Sequence, residues 1–146
     1  MRVVIDTNIL INGSTDDYNY GNRIVDAILD GTITAFANKA TRNENKLLTR
    51  IKIKDQDYLD KLKDFFGKLK IVQTKHPIKI VRDPEDNKLL ESAVAAHAEY
   101  LVTSDMDLLI LGNYEHIKIV RPEEFWNIYE EAQGNRWQNW VDEFMK

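Results

Sequence analysis

Four short segments of this 146-residue chain set a carboxylate beside an apolar run. Asp6 closes Val3-Val4-Ile5, and Asp105 follows Leu101-Val102-Thr103-Ser104. Asp86 stands three and four residues ahead of Leu89 and Leu90, and Glu44 has the same relation to Leu47 and Leu48. Helical spacing puts such an acid at the amino end of an apolar stripe. In an open parallel sheet, ligands collect outside the carboxyl ends of the strands. Two unit charges 4 Å apart repel by ~1 kcal/mol in water and ~4 kcal/mol at an effective dielectric of 20, so several acids aimed at one rim need compensation. A divalent cation supplies it. With no cysteine in the chain, any metal is held by oxygen or imidazole, and an all-oxygen set suits Mg²⁺ or Mn²⁺. Such an ion acidifies a bound water and stabilises charge on phosphate oxygens, which is phosphoryl chemistry.

Each acid also has a purely structural reading. Thr41-x-x-Glu44 fits a capping box, and Asp83-Pro84-Glu85-Asp86 reads as an N-cap followed by acids suited to a helix amino end. Asp105 and Asp107 could cap a short helix over Leu108 to Leu111, and Asp6 could be a strand-end turn residue. Capping accounts for one acid at a time. It gives no reason for several to be directed to one end of one sheet.

The elements that would position these acids alternate between short β-branched runs and helical patterns, which indicates βα units around a parallel sheet. The expected strands are Val3 to Ile5, Ile33 to Ala37, Ile78 to Val81 or the nearby Ile71-Val72, Tyr100 to Thr103, and Ile117 to Val120. Between them, Ile24, Ile28 and Leu29 mark a helix stopped by Gly31; two basic helices carry Leu47, Leu48 and Ile51, then Tyr58, Leu59, Leu62, Phe65 and Phe66; and another begins at Asp83-Pro84. Trp137, Trp140, Val141 and Phe144 predict an amphipathic helix after residue 126, packed on its own domain or forming an interface.

The length suits one domain with a substantial core. The net charge of −4 hides an asymmetry: residues 42 to 82 hold 12 Lys/Arg against 5 Asp/Glu, leaving 8 against 19 elsewhere. Arg42, Lys46 and Arg50 recur every four residues and are candidates for RNA backbone phosphates. No apolar run approaches the ~18 residues of a membrane span, and Met1-Arg2 leads straight into a strand pattern, so a cytoplasmic protein with no membrane partner is expected. No histidine has metal-pair spacing, and there is no glycine-rich phosphate loop.

Taken in order, Val3-Val4-Ile5-Asp6-Thr7-Asn8-Ile9-Leu10, Arg82-Asp83-Pro84-Glu85-Asp86-Asn87, Leu101-Val102-Thr103-Ser104-Asp105 and Arg121-Pro122-Glu123-Glu124-Phe125 resemble the PIN-domain family of metal-dependent ribonucleases. The resemblance implies a three-layer α/β/α domain over residues 1–126 around a parallel sheet of about five strands; residues 127–146, whose periodicity predicts the C-terminal helix, extend beyond it. It implies Asp6, Glu44, Asp86 and Asp105 as catalytic metal-binding acids, Asp107 as an additional ligand, and Thr7, Asn8, Thr103 and Ser104 as groups orienting them. Glu44 is placed by its position after the second strand, where Ala37-Asn38-Lys39-Ala40 lacks the serine or threonine often found nearby. The implied activity is Mg²⁺- or Mn²⁺-dependent RNA cleavage. The implied partners are a second copy of the chain and, if it is a toxin, an antitoxin protein. A PIN-like module that binds RNA or protein without cutting is the alternative. A haloacid-dehalogenase-type phosphatase needs an aspartate where the chain has Asn8, and a receiver domain expects adjacent acids at the first strand's end.

Overall fold

The computed structural model describes residues 1–146. In chain order the elements are β1 (Arg2–Ile5), α1 (Thr7–Asn12), α2 (Tyr20–Leu29), β2 (Thr34–Ala37), α3 (Lys39–Lys52), α4 (Gln56–Lys68), β3 (Lys70–Ile71), α5 (Pro84–Ala95), β4 (Tyr100–Val102), α6 (Met106–Leu109), β5 (Asn113–Tyr114), β6 (Ile117–Val120) and α7 (Pro122–Phe144). One six-stranded sheet runs β3-β2-β1-β4-β6-β5, parallel throughout except for the β5–β6 hairpin. The expected α/β architecture is therefore present, with a short antiparallel edge strand beyond the five anticipated.

The period-2 alternation of strand side chains sorts the core into two layers. Val3, Ile5, Ala35, Val102 and Val120 pack with α1, α2, α4 and Phe125, whereas Val4, Phe36, Leu101 and Ile119 pack under α5 and Leu108. From β1 the chain first builds outward to β2 and β3, and later returns to β1's other side as β4. The carboxyl ends of β1 and β4 thus flank the switch point where a crevice forms.

Three sequence expectations are corrected. Of the two places expected for the third strand, Ile78 to Val81 is a loop, while the alternative at Ile71-Val72 is met at Ile71, the last residue of β3. The buried Asn87 side chain accepts from the Ile80 and Val81 amides, both at 3.1 Å, and donates to the Val81 carbonyl, so these backbone groups find partners without a ladder. The second correction concerns α3, where Leu47 and Ile51 are exposed and Leu48 is half-buried; the helix instead buries Asn45 and Thr49. Third, α7 is continuous from Pro122. Its first half packs through Phe125, Trp126 and Tyr129, but Trp137, Trp140 and Phe144 are exposed and not packed on the domain.

Candidate active site

Asp6 ends β1 as the N-cap of α1, its Oδ1 accepting from the Asn8 amide at 3.3 Å. Asp105, three residues beyond β4, caps α6 in the same way, its Oδ1 accepting from the Asp107 amide at 2.8 Å. Asp105 is thus a cap, as its structural reading has it, and Asp6, whose structural reading is a strand-end turn residue, is a cap too; both roles leave the carboxylate its second oxygen. On Asp6 that oxygen accepts from the Thr103 hydroxyl at 2.9 Å, and Thr103 Oγ1 in turn accepts from the Asp105 amide at 3.0 Å. Thr103 is 0% exposed, so one enclosed hydroxyl ties the two acids together.

Asp86 lies in the first turn of α5, which Asp83 caps. It is 6% exposed, and its Oδ2 is buried without a hydrogen-bond partner. Burial, joined by the charges of Asp105, Asp83 and Asp6, pushes its pKa up to about 7. Burial also raises Asp6, helped by the Asp105 charge and opposed by the hydrogen bonds from Thr103 and Asn8. These are the signs of acids held in each other's field away from water.

Asp6, Thr7, Asn8, Glu44, Asp86 and Asp105 line one cleft. Glu44 does so although the buried stripe expected beyond it is absent, and its rival reading as half of a capping box fails as well. The cap of α3 is Asn38, which accepts from the Thr41 amide at 2.7 Å, and the stripe beyond Glu44 is not buried. Asp107 and Ser104 lie outside this lining. Asp107 faces Arg82 at 3.8 Å, and Ser104 borders a separate hollow beside Arg121. Lys46 and Arg50 line a groove between α3 and α4, and Arg42 is also absent from the acidic cleft.

Beyond the expected site residues, the cleft is also lined by the acids Asp83 and Glu85, read from sequence only as helix-start residues, and by Asn45 and Lys52. Asn45 is buried and accepts a hydrogen bond from the Thr7 hydroxyl, coupling α3 to the turn after β1. Lys52, two turns along α3 from Glu44, is the only lysine or arginine lining the cleft. The spacing Thr41, Glu44, Asn45, Leu48, Lys52 was the available signal: it is a mostly polar helical face directed inward.

The donor set is all oxygen, and an unpartnered buried carboxylate oxygen invites a cation. No three His, Asp or Glu side chains form a preassembled metal cage. That suits Mg²⁺, which commonly takes one or two carboxylates and otherwise keeps its waters. The residues therefore fit a hard divalent ion chemically.

A parallel α/β sheet with buried acids at its switch point defines a class of acidic-cleft α/β domain. The chain belongs to the PIN-domain family, whose model matches residues 2–107. PIN domains are generally nucleases, typically dependent on a divalent metal and acting on RNA. Uncharacterized protein MJ1680 of Methanocaldococcus jannaschii is 25% identical over 144 aligned positions, covering 89% of this chain and 92% of that protein. No solved structure matches the chain. No helix is long and apolar enough to cross a membrane.

Proposed function

We propose that this protein is a Mg²⁺- or Mn²⁺-dependent endoribonuclease. The observation that carries this reading is the shared cleft of Asp6, Glu44, Asp86 and Asp105, with the Asp86 Oδ2 enclosed and unpartnered. Of Asp6, Asp86 and Asp105, one or two would hold the ion directly and the remainder through its waters, with exposed Glu44 reaching it from the cleft's outer wall. The bound ion supplies an acidified water and neutralises charge on the phosphate oxygens. Thr103 holds Asp6 in one orientation, Asn45 holds Thr7, and Asn8 keeps its amide on Asp6. Lys52 draws the RNA backbone into the cleft, while Arg42, Lys46 and Arg50 extend the basic surface around α3. In this reading Asp107 and Ser104 support the Asp105 loop from outside the lining.

The small single domain fits the toxin of a toxin-antitoxin pair acting on cytoplasmic RNA. The decisive experiment incubates a defined RNA panel with the full chain under Mg²⁺ or Mn²⁺ titration, alongside Asp6→Asn, Asp86→Asn and Asp105→Asn. Metal-dependent cleavage by the wild type, abolished in each variant with unchanged circular dichroism, supports the proposal. RNA binding without cleavage at any metal concentration supports a binding module instead.

A further inference from the structure

The C-terminal helix of the chain carries a feature that the cleft does not use. α7 runs 23 residues, and its docked half buries Phe125 and packs Trp126 and Tyr129 against the core. Beyond Gln133 the helix leaves the domain, yet its apolar face continues along the same stripe. Trp137, Trp140 and Phe144 remain 65%, 56% and 73% exposed. Their rings stack into a ladder, with centroids 5.1 Å apart for Trp137–Trp140 and 5.4 Å for Trp140–Phe144. Three large aromatics aligned in water represent a considerable uncovered apolar surface, since each buries about 150–250 Å² when fully covered.

The charges around the ladder discriminate among occupants. From Glu130 to the chain's last residue there are four acids (Glu130, Glu131, Asp142, Glu143) and two bases (Arg136 on the helix and Lys146 just beyond it), which disfavours a nucleic-acid strand stacking its bases on the rings. Arg136 and Glu143 stand seven residues apart on one flank of the stripe, each immediately preceding a ladder aromatic. When two such helices pair antiparallel about Trp140, like flanks meet. Position 136 of one then lies beside position 143 of the other, twice over by symmetry. Arg136 makes no ion pair within the chain, and Glu143 has only the exposed terminal Lys146, at 3.2 Å. The edge is therefore self-complementary.

We propose that the free half of α7 is a homodimerisation element, in which the Trp137–Trp140–Phe144 ladder of one chain packs antiparallel on that of a second copy, bordered by two Arg136–Glu143 pairs. Nothing in this contact depends on the chemistry of the cleft. The ladder alone offers less than the ~800 Å² per partner of a standard stable interface, so the dimer is concentration-dependent.

Sedimentation velocity on the full chain across a micromolar range tests it. The wild type is expected to approach twice the chain mass at the upper end. Trp140→Glu should weaken association by about tenfold or more, the scale of a central aromatic anchor, with an unchanged far-ultraviolet spectrum and, at concentrations where both proteins are monomeric, an unchanged melting temperature, because the ring is largely exposed. Arg136→Glu and Glu143→Arg should each weaken it, and the double variant should restore it. A wild type that stays monomeric throughout, a Trp140→Glu variant that associates as the wild type does, or a double charge swap no better than either single variant overturns the proposal. So does tryptophan quenching in wild-type monomer by single-stranded RNA that Trp140→Glu abolishes, since that assigns the ladder to nucleobases.

Discussion

The Thr103 hydroxyl donates to Asp6 Oδ2 at 2.9 Å from a wholly enclosed position, 97 residues away in sequence and on the neighbouring strand's continuation. The bond fixes the rotamer of the acid that ends β1, and its cost is shared with the Asp105 amide that bonds back to the same oxygen. Thr103→Val, which preserves shape and removes the hydroxyl, leaves both partners short. It should lower metal-dependent cleavage about 10- to 100-fold and destabilise the fold by roughly 1–3 kcal/mol. Thr103→Ser should recover most of the activity. Cleavage rates and melting temperatures of the two variants, compared with wild type, decide the matter.

Asp86 gives the metal-free protein a particular pH response. Its carboxyl ordinarily releases a proton near 3.8 but holds it to about 7 in the fold. Between those values the folded chain binds the proton that the unfolded chain has lost, so stability falls as pH rises from about 4 to about 7 and then levels. Melting temperature measured with chelator should follow that course, and Asp86→Asn should flatten it and melt higher than wild type at pH 8. Manganese should raise the wild-type melting temperature at pH 8 far more than at pH 5.5, where the ion must displace a proton. Equal metal shifts at both pH values would remove Asp86 from the ligand set.

Lys52 is the cleft's single cationic side chain from Lys or Arg. Lys52→Ala should raise KM for RNA while leaving kcat close to wild type, and should reduce the salt slope of single-stranded RNA binding by about 0.7. Reversing Lys46 and Arg50, which border a different groove, should change long-range attraction but not this kinetic split.

Asn87 makes three hydrogen bonds to the backbone of residues 80 and 81. Asn87→Ala should accelerate hydrogen exchange at the Ile80 and Val81 amides and cost roughly 1–3 kcal/mol, with the exchange of β1 and β4 amides changing only by that global loss. Unaltered exchange at Ile80 would show that the loop is held by other contacts.

Much of the fold was legible because strand alternation and helix periodicity are written locally. Val3-Val4-Ile5 and Ile117 to Val120 read as strands from composition, and Asp83-Pro84 announced α5 through cap chemistry. The failures arose where a distant side chain overrode a local pattern. Ile78 to Val81 has a strand's composition, but Asn87 claims its backbone groups. On α3 the apolar residues suggested a buried stripe at Leu47 and Ile51, whereas the inward face contains Asn45 and Thr49, whose polar groups find partners at Thr7 and within the helix itself. The acids of the cleft could be nominated from their positions after strands and at helix starts. The distinction of Lys52 from the other basic residues of α3 depended on the direction in which the helix faces, which only the packing decides.

Asp6 and Asp105 spend one oxygen each on a helix amide, and Asp86 sits one turn into a helix begun by Asp83. Backbone N–H groups thus lie close to the same crowded negative charge and soften its self-repulsion. The helix starts themselves therefore set the shape of the cleft, without a counter-ion being needed to draw the acids together. Under the proposed metal dependence, the concentration of free ion alone would then set what fraction of molecules is competent.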